Sequence, residues 1–129
     1  MDWKSRYAQL QKEEPFELSE IENLISKVVD SINTELENKN VNKKVEYLSE
    51  NKVIKFPDCS ITYRKSSTSN SVEFHKHPIN NESRIEKTIN LNFTQDGYYK
   101  TNLFSENFDE INEYLIETII ENLLFSVRK

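Results

Sequence analysis

The two histidines of the chain, His75 and His77, are the residues whose type and spacing could bind a metal ion. On a β-strand, residues two positions apart share one face at roughly 6.5 to 7 Å, so two imidazoles could share a zinc ion. Glu73 and Glu86 are the candidate third ligands. A His-x-His pair without a ligand at diagnostic spacing is also typical of a solvated strand face. We expect this second alternative, with no metal and no cofactor.

Glycine is almost absent from the chain, and this excludes several classes of enzyme. Gly97 is the only glycine, whereas phosphate-binding loops of the P-loop and dinucleotide types need several. No Gly-x-Ser-x-Gly segment is present that could form a nucleophile elbow. We therefore expect a protein without catalytic activity. A small metal-dependent enzyme that uses the His75 and His77 face is the principal alternative.

The strands that would carry the histidines can be aligned from their apolar residues, which alternate with polar ones. The alternation sets Tyr63 opposite Phe74 on the inner face of a hairpin and Arg64 opposite Glu73 on the outer face. In this register His75 lies on the outer face, so we expect both histidines to face water.

Two further alignments complete the predicted sheet. Keeping Phe74 beside Ile89 places Glu86 opposite His77. Gly97 at the end of a three-residue loop can take a left-handed conformation, which predicts a hairpin with Phe93 opposite Tyr99. Residues 44–56 indicate either two short strands around a turn or one irregular strand, so the strand order there stays open.

Helical patterns flank the strands. Ser19 and Glu22 form a potential capping box for a helix over 20–37, and Ser105 could cap a helix over 106–127. Residues 1–16 could add a short helix or arm. The chain is thus predicted to be a single domain, 1–129, of the α+β class. We expect a two-layer sandwich in which an antiparallel β-meander of four to five strands carries the N- and C-terminal helices on one face.

Charge and composition bear on partners and location. The net charge is −5, with −4 over residues 1–42, +3 over 43–87 and −4 over 88–129. Acidic helices and a sheet face without aromatic side chains make nucleic acid an unexpected partner, although a nucleic-acid-associated factor remains an alternative. Cys59 is a lone cysteine, the first twenty residues lack an apolar core, and no segment resembles a membrane span. A cytoplasmic location and no membrane association are therefore expected.

The predicted C-terminal helix carries more apolar surface than one contact with a sheet requires. The excess residues are Tyr114, Ile116, Ile120, Leu124 and Val127. We predict that they bind a second chain in a homodimer, while packing against the N-terminal helix of the same chain is the alternative.

These observations favour a non-catalytic, protein-binding accessory or regulatory module whose partner is unidentified. In size and acidity the chain is reminiscent of small inhibitor, immunity and chaperone-like proteins of bacteria and phages, a likeness that no sequence motif carries.

Overall fold

The order of helices and strands was established from a computed structural model, which describes residues 3–11, 16–66, 70–103 and 107–125. Two helices come first, α1 over Trp3–Leu10 and α2 over Leu18–Asn38. The strands that follow are β1 (Glu46–Leu48), β2 (Val53–Lys55), β3 (Cys59–Lys65), β4 (Ser71–Pro78), β5 (Lys87–Phe93) and β6 (Tyr99–Thr101). Helix α3, over Glu113–Leu124, is the last element of the described chain.

The strands form one antiparallel sheet in which each strand pairs with the next along the chain, from β1 to β6. The described residues thus contain six strands where four to five were expected. Residues 44–56 form two of them, β1 and β2, joined by a single 3-10 turn at Ser49–Asn51. Lys52 closes this turn in the left-handed region, with φ 54°. The predicted α+β meander is confirmed, with a slightly larger sheet.

The strand registers follow the sequence prediction. Tyr63 pairs with Phe74 and Arg64 pairs with Glu73 between β3 and β4. Phe74 in turn pairs with Ile89 between β4 and β5. These pairs keep the apolar side chains on one face, because a shift of one residue would turn all of them towards water.

The hairpin between β5 and β6 also has the predicted geometry. Phe93 pairs with Tyr99, and Gly97 has φ +86°, a left-handed value that few side chains tolerate. The structure adds a second reason for glycine at this position. A Cβ atom on Gly97 would lie 2.8 Å from Cγ of Arg6 and 3.3 Å from Cγ of Leu10. Helix α1 therefore packs closely against the tip of this hairpin.

Helix α2 differs from the prediction at its beginning. The N-cap residue is Glu17, and no side chain caps the helix, so Ser19 lies inside the first turn and the predicted capping box is wrong. At the other end, Asn40 has φ 59°, and the amide of Val41 donates to the carbonyl of Leu36 at 2.9 Å. This is a Schellman ending with asparagine in the left-handed position that glycine often occupies.

Helix α3 is shorter than predicted. It begins at Glu113, where the side chain of Asn112 accepts a hydrogen bond from the amide of Leu115 at 2.9 Å. The described residues before it, 107–112, are not helical, and among them Phe108 exchanges two backbone hydrogen bonds of 2.8 Å with Tyr99 at the edge of the sheet. The predicted cap Ser105 lies outside the described residues, as does the predicted helix end at 127.

Helices α2 and α3 pack against each other and against the same face of the sheet, as expected for a two-layer sandwich. Their apolar side chains and those of the strands form one buried cluster. Lys87 at the beginning of β5 donates a hydrogen bond of 2.7 Å to the carbonyl of Asn122 in the last turn of α3. This cation stabilises a helix end that has no basic residue of its own.

Candidate functional site

The two histidines lie on the outer face of the sheet, as the register predicts, but neither is freely solvated. His77 is 8% exposed, and the side chain of His75 is 14% exposed. The expectation that both imidazoles face water is therefore wrong. The residues between β4 and β5 fold as successive turns, and the backbone of this segment reaches His77 at Arg84. The sequence pattern of alternating residues contains no information on such a covering segment.

Both nitrogens of His77 are hydrogen-bonded. Nδ1 lies 2.9 Å from the carbonyl oxygen of Arg84, and Nε2 lies 2.8 Å from Oγ1 of Thr62. Since a carbonyl oxygen only accepts, Nδ1 carries the proton, and the Nε2 of a neutral imidazole accepts from the Thr62 hydroxyl. His77 thus connects strand β3 to the segment that covers it.

His75 is similarly engaged. Its Nε2 donates to Oε1 of Glu73 at 3.2 Å, and its Nδ1 lies 2.9 Å from Oγ1 of Thr88. The same carboxylate oxygen accepts from Nε of Arg64 at 3.0 Å. The hydrogen bond from Arg64 is the main cause that holds the pKa of Glu73 below its usual value. Partial desolvation opposes this shift, and the bond from His75 adds to it.

The four candidate metal ligands do not converge on one point. Glu73 pairs with Arg64, while the carboxylate of Glu86 lies 3.7 Å from Nζ of Lys76. In the described part of the chain, no group of three or more His, Cys, Asp or Glu side chains could hold a metal ion. A metal shared by His75 and His77 would have to replace hydrogen bonds that each imidazole already makes.

A cleft of about 340 Å³ opens on the outer face next to His77. Its lining includes Asn51, Lys55, Ser60, Thr62, His77 and Glu82. The cleft contains both a cation, Lys55, and a carboxylate, Glu82, so its charge favours neither an anionic nor a cationic ligand.

A chain of hydrogen bonds on the inner face joins the sheet to α2. The hydroxyls of Tyr47 and Tyr63 lie 2.6 Å apart, and Tyr63 donates to Oε2 of Glu22 at 2.9 Å. Nζ of Lys52 lies 3.5 Å from the same carboxylate oxygen. Burial raises the pKa of Tyr63 well above its ordinary value, and the bonds to Tyr47 and Glu22 raise it further. The protonated tyrosine donates to a partly buried carboxylate, which makes the network a structural one.

The partner surface predicted on the C-terminal helix is divided by the fold. Ile116 and Ile120 are 0% and 2% exposed, because α2 packs against α3 on this side. Ile116 is therefore covered within the chain, whereas Ile120 still contributes to the lining of a groove between the two helices. Tyr114 is exposed and Leu124 is half-buried. Val127 lies outside the described residues.

An apolar groove remains between α2 and α3, which we call the α2–α3 groove. It encloses about 210 Å³ and is lined mainly by Val28, Ile32, Ile120, Leu124 and Phe125. Glu117 and Glu121 also contribute to its lining. Phe125, which follows the last turn of α3, is 67% exposed at the end of the groove.

Helix α1 exposes its own apolar residues to solvent. Trp3, Tyr7 and Leu10 lie at positions i, i+4 and i+7, so they form one stripe, here called the α1 stripe. Trp3 and Tyr7 are 66% and 61% exposed. The helix is anchored by Arg6, whose Nη1 donates to the hydroxyl of Tyr98 at 2.6 Å and whose guanidinium carbon lies 5.2 Å from the centre of that ring.

Sequence reasoning missed this surface although the signal was present. The helical spacing of Trp3, Tyr7 and Leu10 predicts an amphipathic helix, and an amphipathic helix is normally expected to bury its apolar side. The contact between Arg6 and Tyr98 joins residues 92 positions apart, so no local pattern indicates where α1 is anchored.

Comparison of the chain with protein-family models, with curated proteins and with solved structures finds no match. None of the described helices has the length and apolar character that crossing a membrane requires.

Proposed function

We propose that this protein is a non-catalytic, protein-binding accessory or regulatory module, of the kind represented by small inhibitors, immunity proteins and chaperones. The observation that supports this proposal is the α1 stripe. Tryptophan and tyrosine are the residues that contribute most to binding at protein interfaces. In this chain they lie exposed on a helix that is anchored to the domain through Arg6 and Leu10.

The form of the surface indicates a helix-in-groove mode of recognition. Such helices present apolar anchors at positions i, i+3, i+4 and i+7 to a hydrophobic groove of the partner. Trp3, Tyr7 and Leu10 satisfy this spacing. Because the contact between Arg6 and Tyr98 already orders α1, binding does not require the helix to fold at the same time.

Tyr114 and Leu124 are the residues of the originally predicted partner surface that still support the proposal, because the fold leaves them exposed and half-buried. The partner is a protein, and a second copy of the chain is one candidate. A reducing, cytoplasmic compartment fits the free and buried thiol of Cys59.

Affinity capture from an extract of the source organism tests this function. Wild-type protein, Trp3→Ala with Tyr7→Ala, and a control Ile79→Ala are immobilised in parallel, since Ile79 is equally exposed but lies in the turn after β4. We expect at least one protein that wild type and control retain and that the double variant loses. Identical sets of captured proteins for all three would contradict the proposal.

A further inference from the structure

The two apolar surfaces on the helices complement each other. We infer that the α1 stripe of one copy of the chain binds in the α2–α3 groove of a second copy, and that the contact is reciprocal. This inference rests on the proposed function and names its partner as a second copy. The stripe supplies the projecting aromatic side chains, and the groove supplies the concave apolar surface that such side chains need.

The charges of the two surfaces are opposite. Helix α1 carries Lys4 and Arg6 and no acidic residue. Helix α3 carries three glutamates and no basic residue, and two of them, Glu117 and Glu121, line the groove. Arg6 remains bonded to Tyr98 of its own chain, but the positive charge of Lys4, next to Trp3, is attracted by the acidic rim when Trp3 enters the groove, and this attraction adds to the burial of apolar surface.

The size of the groove suits an aromatic side chain. A cavity of roughly 150 Å³ with an apolar lining can hold a benzene molecule. At about 210 Å³, the α2–α3 groove has space for the larger ring system of a tryptophan. Val28, Ile32 and Leu124 provide the apolar lining, and Phe125 offers an exposed ring at the end of the groove.

The groove cannot be occupied by the α1 stripe of the same chain in this fold. Helix α1 lies against Gly97 in the hairpin that follows β5, whereas the last turn of α3 is bound by Lys87 at the beginning of β5. Strand β5 has seven residues, so at about 3.4 Å per residue these two places are on the order of 20 Å apart. A second copy can supply the missing helix.

The placement of the surfaces at opposite ends of the sheet favours a closed dimer. When two copies lie side by side in opposite directions, each α1 stripe comes to the end of the partner that carries the open groove. A two-fold axis then generates both contacts at once, and no unpaired stripe or groove remains to extend the assembly.

Mass in solution provides the first test. Sedimentation equilibrium should give twice the mass of the single chain for the wild type at about 100 μM. The dimer should dissociate on dilution, because each contact joins one eight-residue helix to one groove and is therefore small. Trp3→Ala and Phe125→Glu should each weaken dimerisation by at least about tenfold, since each removes both copies of the contact in a symmetric dimer. Ile79→Ala and Ile79→Glu are the matched controls and should leave the mass unchanged.

A mixture of the two variants provides the sharper test. Phe125→Glu chains keep an intact α1 stripe, and Trp3→Ala chains keep an intact groove, so one mixed pair restores one of the two contacts. Native mass spectrometry distinguishes this mixed dimer, because the two variants differ in mass. We expect it to be more abundant than either variant's own dimer. Circular dichroism and urea midpoints verify that both variants fold, as the exposure of Trp3 and Phe125 leads us to expect.

Three results would overturn the inference: a wild type that is monomeric at about 100 μM, a dimer that survives both substitutions, or a mixture that stays monomeric. Failure here is distinguishable from failure of the proposed function. A monomeric wild type that still captures a protein through Trp3 and Tyr7 refutes the second copy as partner and leaves the binding module intact.

Discussion

Replacement of His77 by alanine tests whether this buried imidazole holds the segment after β4 against the sheet. The substitution removes the hydrogen bond from Nδ1 to the carbonyl of Arg84 and the bond from the hydroxyl of Thr62 to Nε2. His75→Ala is the comparison. The partners of His75 are the side chains of Glu73 and Thr88, and Glu73 retains its bond to Arg64.

The expected loss of stability follows from these contacts. A hydrogen bond contributes about 0.5 to 1.5 kcal/mol net, so two of them amount to about 1 to 3 kcal/mol. Thr62 borders the open cleft, so water can replace part of what it loses, and we expect His77→Ala to cost about 2 kcal/mol. His75→Ala should cost about 1 kcal/mol or less, because Glu73 is 27% exposed and retains its bond to Arg64 when the imidazole is removed.

Urea unfolding monitored by tryptophan fluorescence and circular dichroism measures the difference. Thr62→Val removes the hydroxyl while keeping the shape, and a double-mutant cycle with His77→Ala should give a coupling of about 1 kcal/mol. Limited proteolysis should cut residues 79–86 faster in His77→Ala than in the wild type. Equal midpoints for His75→Ala and His77→Ala, or no coupling to Thr62, would refute the reasoning.

Three further predictions follow from the inner face and the β5–β6 hairpin. Tyr63→Phe should lower the free energy of unfolding by about 1 to 3 kcal/mol, and by more than Tyr47→Phe does, because the hydroxyl of Tyr63 is hydrogen-bonded to both Tyr47 and Glu22. Equal losses for the two substitutions would contradict this. Gly97→Ala should cost about 1 to 2 kcal/mol through its positive φ and its approach to Arg6, and unchanged urea midpoints would count against this packing. Burial raises the pKa of Cys59 from 9.0 to about 11, so its contribution to stability is present below pH 9 and lost towards pH 11. Cys59→Ala should therefore lose less stability over this pH range than the wild type. If the free energy of unfolding falls equally with pH in both proteins, the raised pKa of Cys59 is refuted.

The strand registers could be read from the sequence because they depend on local chemistry. Alternating apolar residues set Tyr63 opposite Phe74, and the single glycine placed the hairpin that brings Phe93 opposite Tyr99. Both features arise within short stretches, in which the pleat of a strand and the φ angle of one residue decide the outcome.

The environment of the histidines could not be predicted in this way. The sequence determined that His75 and His77 share the outer face of the sheet. That His77 is buried depends on the path of residues 79–86, which fold back as turns and place the carbonyl of Arg84 2.9 Å from its ring. Alternation distinguishes the two faces of a strand, but it does not indicate what else covers a face.

The helices show the same division between local pattern and tertiary contact. The apolar residues of α1 and α3 were evident from helical spacing, and those of α3 alone predicted a partner surface, which included Ile116 and Ile120. The tertiary structure buries these two side chains beneath α2 and leaves Trp3 and Tyr7 in solvent instead. Helical periodicity measures how much apolar surface an element has. Which part of that surface is covered depends on contacts between residues far apart in the chain, such as Arg6 and Tyr98, and only the folded chain brings these together.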